Sequence, residues 1–118
     1  MKKNVEEKNL DKVLAQLGVD PSCCGYFYIK DAVEILREDK FIKMMALYHL
    51  LGNRYDKTPS SVERGMRHAI EKAFNTISPD VIEKLWGNIL GMKDKPTVTQ
   101  FLMVLTVNFD EHYEIFFA

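Results

Sequence analysis

The sequence lacks long apolar segments, a strong net charge and a spaced set of cysteines. Its uninterrupted apolar stretches span only a few residues, whereas a membrane-spanning helix needs about 20. The charged segment Met1–Asn9 has no apolar core of the kind that marks a secretory signal. These absences predict a cytoplasmic protein that does not bind a membrane.

The residues that commonly bind metals or perform catalysis are few and scattered. The two cysteines, Cys23 and Cys24, are adjacent, which does not match zinc-ligand spacing and strains a mutual disulfide. We therefore expect two free, partly buried thiols. The histidines His49, His68 and His112 lie far apart, and no phosphate loop or nucleophile motif is present. The sequence predicts no enzymatic activity, no metal site and no cofactor.

Apolar residues recur at helical spacing along the chain, which predicts an all-α fold of about six helices. Hydrophobic residues make up 47% of the 118 residues, enough for the core of one domain. Runs of period two, typical of strands, are few. The segment from Phe41 to Tyr55 fits either one helix or two short ones. The other predicted helices cover about residues 9–17, 26–39, 60–75, 79–90 and 97–108. We expect residues 1–118 to form a single domain, with 1–8 flexible and 109–118 an unassigned tail.

Positive charge is concentrated in one segment although the net charge is −1. Residues 54–72 carry five basic and three acidic side chains, whereas residues 78–118 carry three basic and six acidic ones. Affinity for DNA depends on local neutralisation of phosphates rather than on total charge. The middle segment is therefore the candidate for contact with nucleic acid.

Residues 60–75 form two opposite faces on a helical wheel. The apolar face consists of Val62, Met66, Ala69, Ile70 and Ala73. The polar face consists of Ser60, Ser61, Arg64, Arg67, His68 and Glu71. Arginine can donate two parallel hydrogen bonds to guanine in the major groove and also pairs with phosphate. The same pattern is also typical of an ordinary helix whose charged face is in water.

The segment before this helix is typical of the first helix in a helix-turn-helix. Leu47, Leu51 and Tyr55 can pack on the following helix, and Gly52 allows a close approach. The polar turn 56–59 then leads into the helix with the two arginines, as the motif requires. Either Thr58 or Ser60 can cap that helix.

Several motifs resemble those of one family. The run Val62–Glu71, VERGMRHAIE, resembles the recognition helix of the C-terminal effector domain in the stage zero sporulation protein A family. Gly25–Tyr28, Leu47-Tyr48 and Lys95–Thr97 resemble further helix starts of that domain, in the same order. The resemblance covers roughly Asn9 to Met103. It implies a six-helix transcription regulator that binds a promoter box on double-stranded DNA, often as a head-to-tail homodimer on tandem boxes.

The resemblance also implies roles for individual residues. Arg64 and Arg67 are expected to contact bases or phosphates, and His68 to contact phosphate or to pack. Glu63 lies in the same run, and Ser61 stands where the family has a basic residue. Gly65 replaces a small helix-forming residue, at a cost of about 1 kcal/mol. The full predicted DNA-binding set is Lys57, Ser60, Ser61, Glu63, Arg64, Arg67, His68 and Lys72.

Some features depart from the family pattern and support a second hypothesis. The family's regulators carry a phosphoacceptor receiver domain that these 118 residues lack, so the chain is either an isolated effector domain or a stand-alone relative. The tail from Thr106 onward does not match. The acidic balance after Ser78 and the aromatic segment Tyr113–Phe117 support the alternative, a protein-interaction module that modulates a full regulator or pairs with itself.

Overall fold

The computed structural model describes residues 10–90 and 95–111, which form six α-helices and no strands. Helix α1 is described over residues 10–16. The others are α2 (Cys24–Glu38), α3 (Met44–Tyr55), α4 (Pro59–Ala73), α5 (Pro79–Leu90) and α6 (Val98–Glu111). The predicted all-α fold is confirmed. Within these ranges, no helix is long and apolar enough to cross a membrane.

Helix α3 begins later than the sequence predicted. It is a single helix, but it starts at Met44 rather than at Phe41. The Phe41 N–H donates to the Asp39 carboxylate at 3.1 Å, and Lys43 has extended backbone dihedrals. This local side-chain bond competes with helix formation. The prediction of a helix from Phe41 was therefore wrong, and the Phe41 side chain is 94% exposed.

Helix α5 has the predicted bounds, 79–90, and several other helix ends differ from the predicted ones by one to three residues. Helix α2 begins two residues early, α4 ends two residues before Asn75, and α6 reaches Glu111. The expected flexible segment 1–8, Gly91 directly after the predicted helix 79–90, and residues 112–118 of the tail lie outside the described residues. Cys23 is half-buried and Cys24 exposed, and both thiols are free.

Helices α2 and α4 approach each other closely through two glycines. A Cβ atom on Gly25 would clash with the Gly65 carbonyl oxygen and lie 2.7 Å from Ala69 Cβ. A Cβ atom on Gly65 would lie 2.9 Å from the ring of the buried Tyr28. Gly65 therefore does more than weaken α4, because its small size lets the aromatic ring of α2 lie against the α4 backbone.

An aromatic cluster covers the end of α4. The ring of Trp86 on α5 stacks on that of Phe101 on α6, with centroids 5.4 Å apart and an interplanar angle of 10°. Phe74, which follows α4, meets both rings edge to face. Trp86 and Phe101 are fully buried. Aromatic pairs of this kind stabilise beyond the area they bury, so the cluster fixes α5 and α6 against the base of α4.

Helix α3 is tied to α2 by a polar contact at its last residue. The Tyr55 hydroxyl donates to Asp31, and Arg54 pairs with the same carboxylate at 3.2 Å. Burial and the Asp31 carboxylate raise the pKa of Tyr55 to about 12. Leu47 and Leu51 are fully buried as predicted, whereas Tyr55 makes its polar contact with α2 rather than with α4.

Candidate nucleic-acid interface

A tight turn connects α3 to α4. The carbonyl of Gly52 accepts a hydrogen bond from the Lys57 N–H at 2.8 Å, and Asp56 adopts a left-handed conformation with φ 55°. This conformation is tolerated by aspartate and ends a helix. A Cβ atom on Gly52 would lie 2.5 Å from the Lys57 carbonyl oxygen. The close approach predicted at Gly52 is therefore to the turn rather than to the second helix.

Thr58 caps α4 and sets where the helix begins. Its hydroxyl oxygen accepts from the Ser61 N–H at 3.1 Å, and Pro59 follows as the first helical residue. Proline fits there because its missing N–H has no helical partner. Of the two predicted caps, Thr58 is correct, and Ser60 lies inside the helix. With Thr58 as the cap, Ser60 and Ser61 lie in the exposed first turn of α4.

The two predicted faces of α4 are confirmed. Every residue of the predicted apolar face is buried: Val62, Met66, Ala69, Ile70 and Ala73. The residues of the opposite face are exposed: Ser60, Ser61, Arg64, Arg67, His68 and Glu71. Lys57 is exposed in the turn that leads to this face. These seven polar side chains, which extend from the turn before α4 to its last turn, are all accessible to a partner.

An ion pair orients one of the two arginines. Arg67 Nε lies 3.1 Å from a carboxylate oxygen of the half-buried Glu63, one helical turn earlier. Because the contact uses Nε, the two terminal Nη groups can still donate to another partner. Tyr48 of α3 lies behind this pair, and burial, together with the Glu63 charge, raises its pKa. Exposed ion pairs contribute little to stability, so the main effect of the Glu63–Arg67 pair is to position the Arg67 side chain.

Lys72 lies at the other end of α4 in a different setting. Its Nζ is 2.8 Å from Asp20, in the connector before α2. The hydrogen bond to Asp20 raises the pKa of Lys72. The bonds from Lys72 and Ser22 hold the pKa of Asp20 well below its ordinary value. Nothing in the sequence indicated this partner, because the two residues lie 52 positions apart.

Two adjoining hollows border the exposed face of α4. One, of about 340 Å³, lies between α3 and α4 and is lined by Met45, Tyr48, Pro59, Ser60, Glu63, Arg64 and Arg67. The other, of about 430 Å³, separates the middle of α4 from the start of α6, where Lys95 and Thr99 form part of its wall. Sequence reasoning missed Met45 and Tyr48 as neighbours of the arginines, because their position depends on how the two helices pack.

A family model for the sporulation initiation factor Spo0A C terminal matches residues 10–109. The chain belongs to this family of effector domains. The match confirms the family suggested by the VERGMRHAIE run. It extends six residues beyond the expected limit at Met103, so the expected departure from the family at Thr106 is wrong up to residue 109. The family consists of DNA-binding domains of sporulation regulators, and the described helices are consistent with its helix-turn-helix. Within residues 10–90 and 95–111, no cluster of three metal-ligating side chains occurs.

Proposed function

We propose that this chain is a sequence-specific DNA-binding transcription regulator and that α4 is its recognition helix. One observation carries the proposal: Arg64, Arg67 and His68 share the exposed face of α4 while the opposite face is buried. An arginine-bearing helix of this width fits the major groove, and its arginines can each donate twice to guanine. Family membership supports this role.

The remaining residues of the set divide by position. Lys57 in the turn and the hydroxyls of Ser60 and Ser61 are placed near the start of α4, where they can reach phosphates. Glu63 orients Arg67 through the ion pair at 3.1 Å. Lys72, held by Asp20, is the member with the weakest support, since it must exchange one partner for another to contact DNA.

The experiment is a fluorescence-anisotropy titration of the chain into a duplex with the family's promoter box and into a scrambled duplex, at several salt concentrations. We expect at least about tenfold preference for the box, and affinity that falls as salt rises. The double variant Arg64→Ala/Arg67→Ala should lose the preference while far-UV circular dichroism and the melting temperature stay unchanged. Retention of the preference in that variant would refute the role of α4.

A matched control separates base recognition from the simple loss of two charges. Lys12 on α1 and Lys84 on α5 are exposed lysines on helices other than α3 and α4. The double variant Lys12→Ala/Lys84→Ala removes the same charge and should keep the preference for the box. An equal loss in both double variants would mean that the chain binds DNA only through its overall field.

The family resemblance supports two further parts of the proposal, tandem pairing and a single-domain organisation. We infer that the chain acts in the cytoplasm as one domain and that two copies bind adjacent boxes as a homodimer. A duplex with two boxes should then bind with positive cooperativity, and a duplex with one box should not. Independent binding to the two boxes would refute pairing without affecting recognition of a single box.

A further inference from the structure

An exposed apolar side chain lies at the edge of the arginine-bearing surface. Met45 is the second residue of α3, and 61% of its surface is accessible. It lines the 340 Å³ hollow with Ser60, Arg64 and Arg67 of α4. A single exposed apolar residue is ordinary on a protein surface. The unusual feature of Met45 is its location, since this uncharged, flexible side chain lines the same hollow as the side chains proposed to read bases.

The major groove offers one apolar group that such a side chain can recognise. Guanine presents the O6 and N7 acceptors that arginine reads, and thymine presents its 5-methyl group in the same groove. A surface with arginine next to a thioether therefore complements a guanine-containing base pair next to a thymine. Methionine is unbranched and polarisable, so it can adapt its conformation to a methyl group.

We propose that Met45 contacts the 5-methyl group of a thymine beside the bases read by Arg64 and Arg67, and so adds thymine specificity to the interface. The inference rests on the proposed function, because it needs α4 in the major groove. The other strongly exposed apolar side chains near α3, Phe41 and Leu50, do not line the 340 Å³ hollow. Met45 is the one that shares that hollow with Arg64.

Removal of the thymine methyl groups tests the contact directly. The probes are a labelled duplex with the family's promoter box and the same duplex with every box thymine replaced by deoxyuridine. The wild-type chain should bind the uracil duplex about fourfold more weakly, the effect of one lost methyl contact. Met45→Ala should bind the thymine duplex as weakly as the wild type binds the uracil duplex, and should lose nothing further on uracil.

Two variants control for general effects of truncation. Met45→Leu keeps an apolar side chain of similar size and should retain most of the preference for thymine. Leu50→Ala shortens another exposed apolar residue of α3 and should keep the wild-type ratio between the duplexes. Circular dichroism checks that each variant is folded.

The outcomes distinguish a failure of this inference from a failure of the proposed function on which it rests. If Met45→Ala keeps the wild-type thymine-to-uracil ratio, or loses affinity equally on both duplexes, Met45 does not read the methyl group and the inference is overturned. If the wild-type chain itself fails to distinguish the box from a scrambled duplex, the proposed function fails, and the Met45 contact fails with it. Non-additive losses in Met45→Ala and the uracil duplex support the contact.

Discussion

The two faces of α4 differ in how much additional side-chain volume each can accommodate. The inner face meets α2 where Gly25 and Gly65 leave no room for a single added carbon atom. The outer face has Arg64, Arg67 and His68 in the open, bordered by two hollows. We therefore expect the two faces to respond differently: substitutions toward α2 should act on folding, and substitutions toward solvent should act on DNA binding.

The largest effect is expected from the inner face. Gly25→Ala places a Cβ atom against the Gly65 carbonyl oxygen and 2.7 Å from Ala69 Cβ, and backbone of this kind cannot move aside cheaply. We expect a loss of about 3 kcal/mol in the free energy of unfolding, measured by urea denaturation. DNA affinity of the fraction that remains folded should be unchanged.

Another glycine provides the control for this substitution. The three atoms nearest to a Cβ atom on Gly87 of α5 would all belong to the carboxylate of Glu83, a flexible side chain that can rotate away. Gly87→Ala should therefore stabilise by up to about 1 kcal/mol, because alanine is the better helix former. If both alanine variants change stability by the same amount, the close approach of α2 and α4 has no special cost.

An intermediate effect on stability is expected at the N-terminal cap of α4. Thr58→Ala removes the hydroxyl that accepts from the Ser61 N–H and should cost about 1 kcal/mol of stability. Thermal unfolding followed by circular dichroism measures it. Thr99→Ala, in the exposed first turn of α6, removes a hydroxyl of the same type away from the cap position and should stay within about 0.5 kcal/mol of the wild type.

A smaller effect, on binding alone, is expected from the turn. Lys57 is exposed and carries a charge near the start of α4, so Lys57→Ala should weaken binding to box and scrambled duplexes alike. The slope of log affinity against log salt should decrease by about 1, as for the loss of one phosphate contact. The unfolding transition should not move. A selective loss on the box would instead make Lys57 a base contact.

The sequence predicted the features that are determined within one segment better than those that arise when two segments pack together. Both faces of α4 follow from the 3.6-residue period within one segment, and the structure confirms them. The start of α3 was wrong because a local bond from the Phe41 N–H to Asp39 competes with the helix. The sequence predicted only that Gly65 weakens the helix. Its contact with Tyr28 could not be predicted, because it arises when α2 packs on α4. DNA contact by the candidate residues stays a prediction.

The smallest effect concerns Lys72, the predicted DNA-binding residue that is bound to an aspartate of the connector before α2. Asp20 accepts from Lys72 at 2.8 Å, and its pKa is lowered chiefly by that bond. A carboxylate with a lowered pKa stabilises the fold above its unfolded pKa, and this contribution is lost as the pH falls through the folded value. Asp20→Asn should therefore melt slightly below the wild type at neutral pH, and the two melting temperatures should converge in acid.

The same substitution is expected to free Lys72 for contact with DNA. In Asp20→Asn, the freed ammonium adds one mobile cation at the end of α4, so the salt slope of DNA binding should steepen by up to about 1. Asp80→Asn, an exposed aspartate in the first turn of α5, removes the same charge without releasing Lys72 and should leave the slope unchanged. If the slope stays constant in both variants, Lys72 lies outside the DNA contact, and its bond to Asp20 serves only to hold the connector against α4.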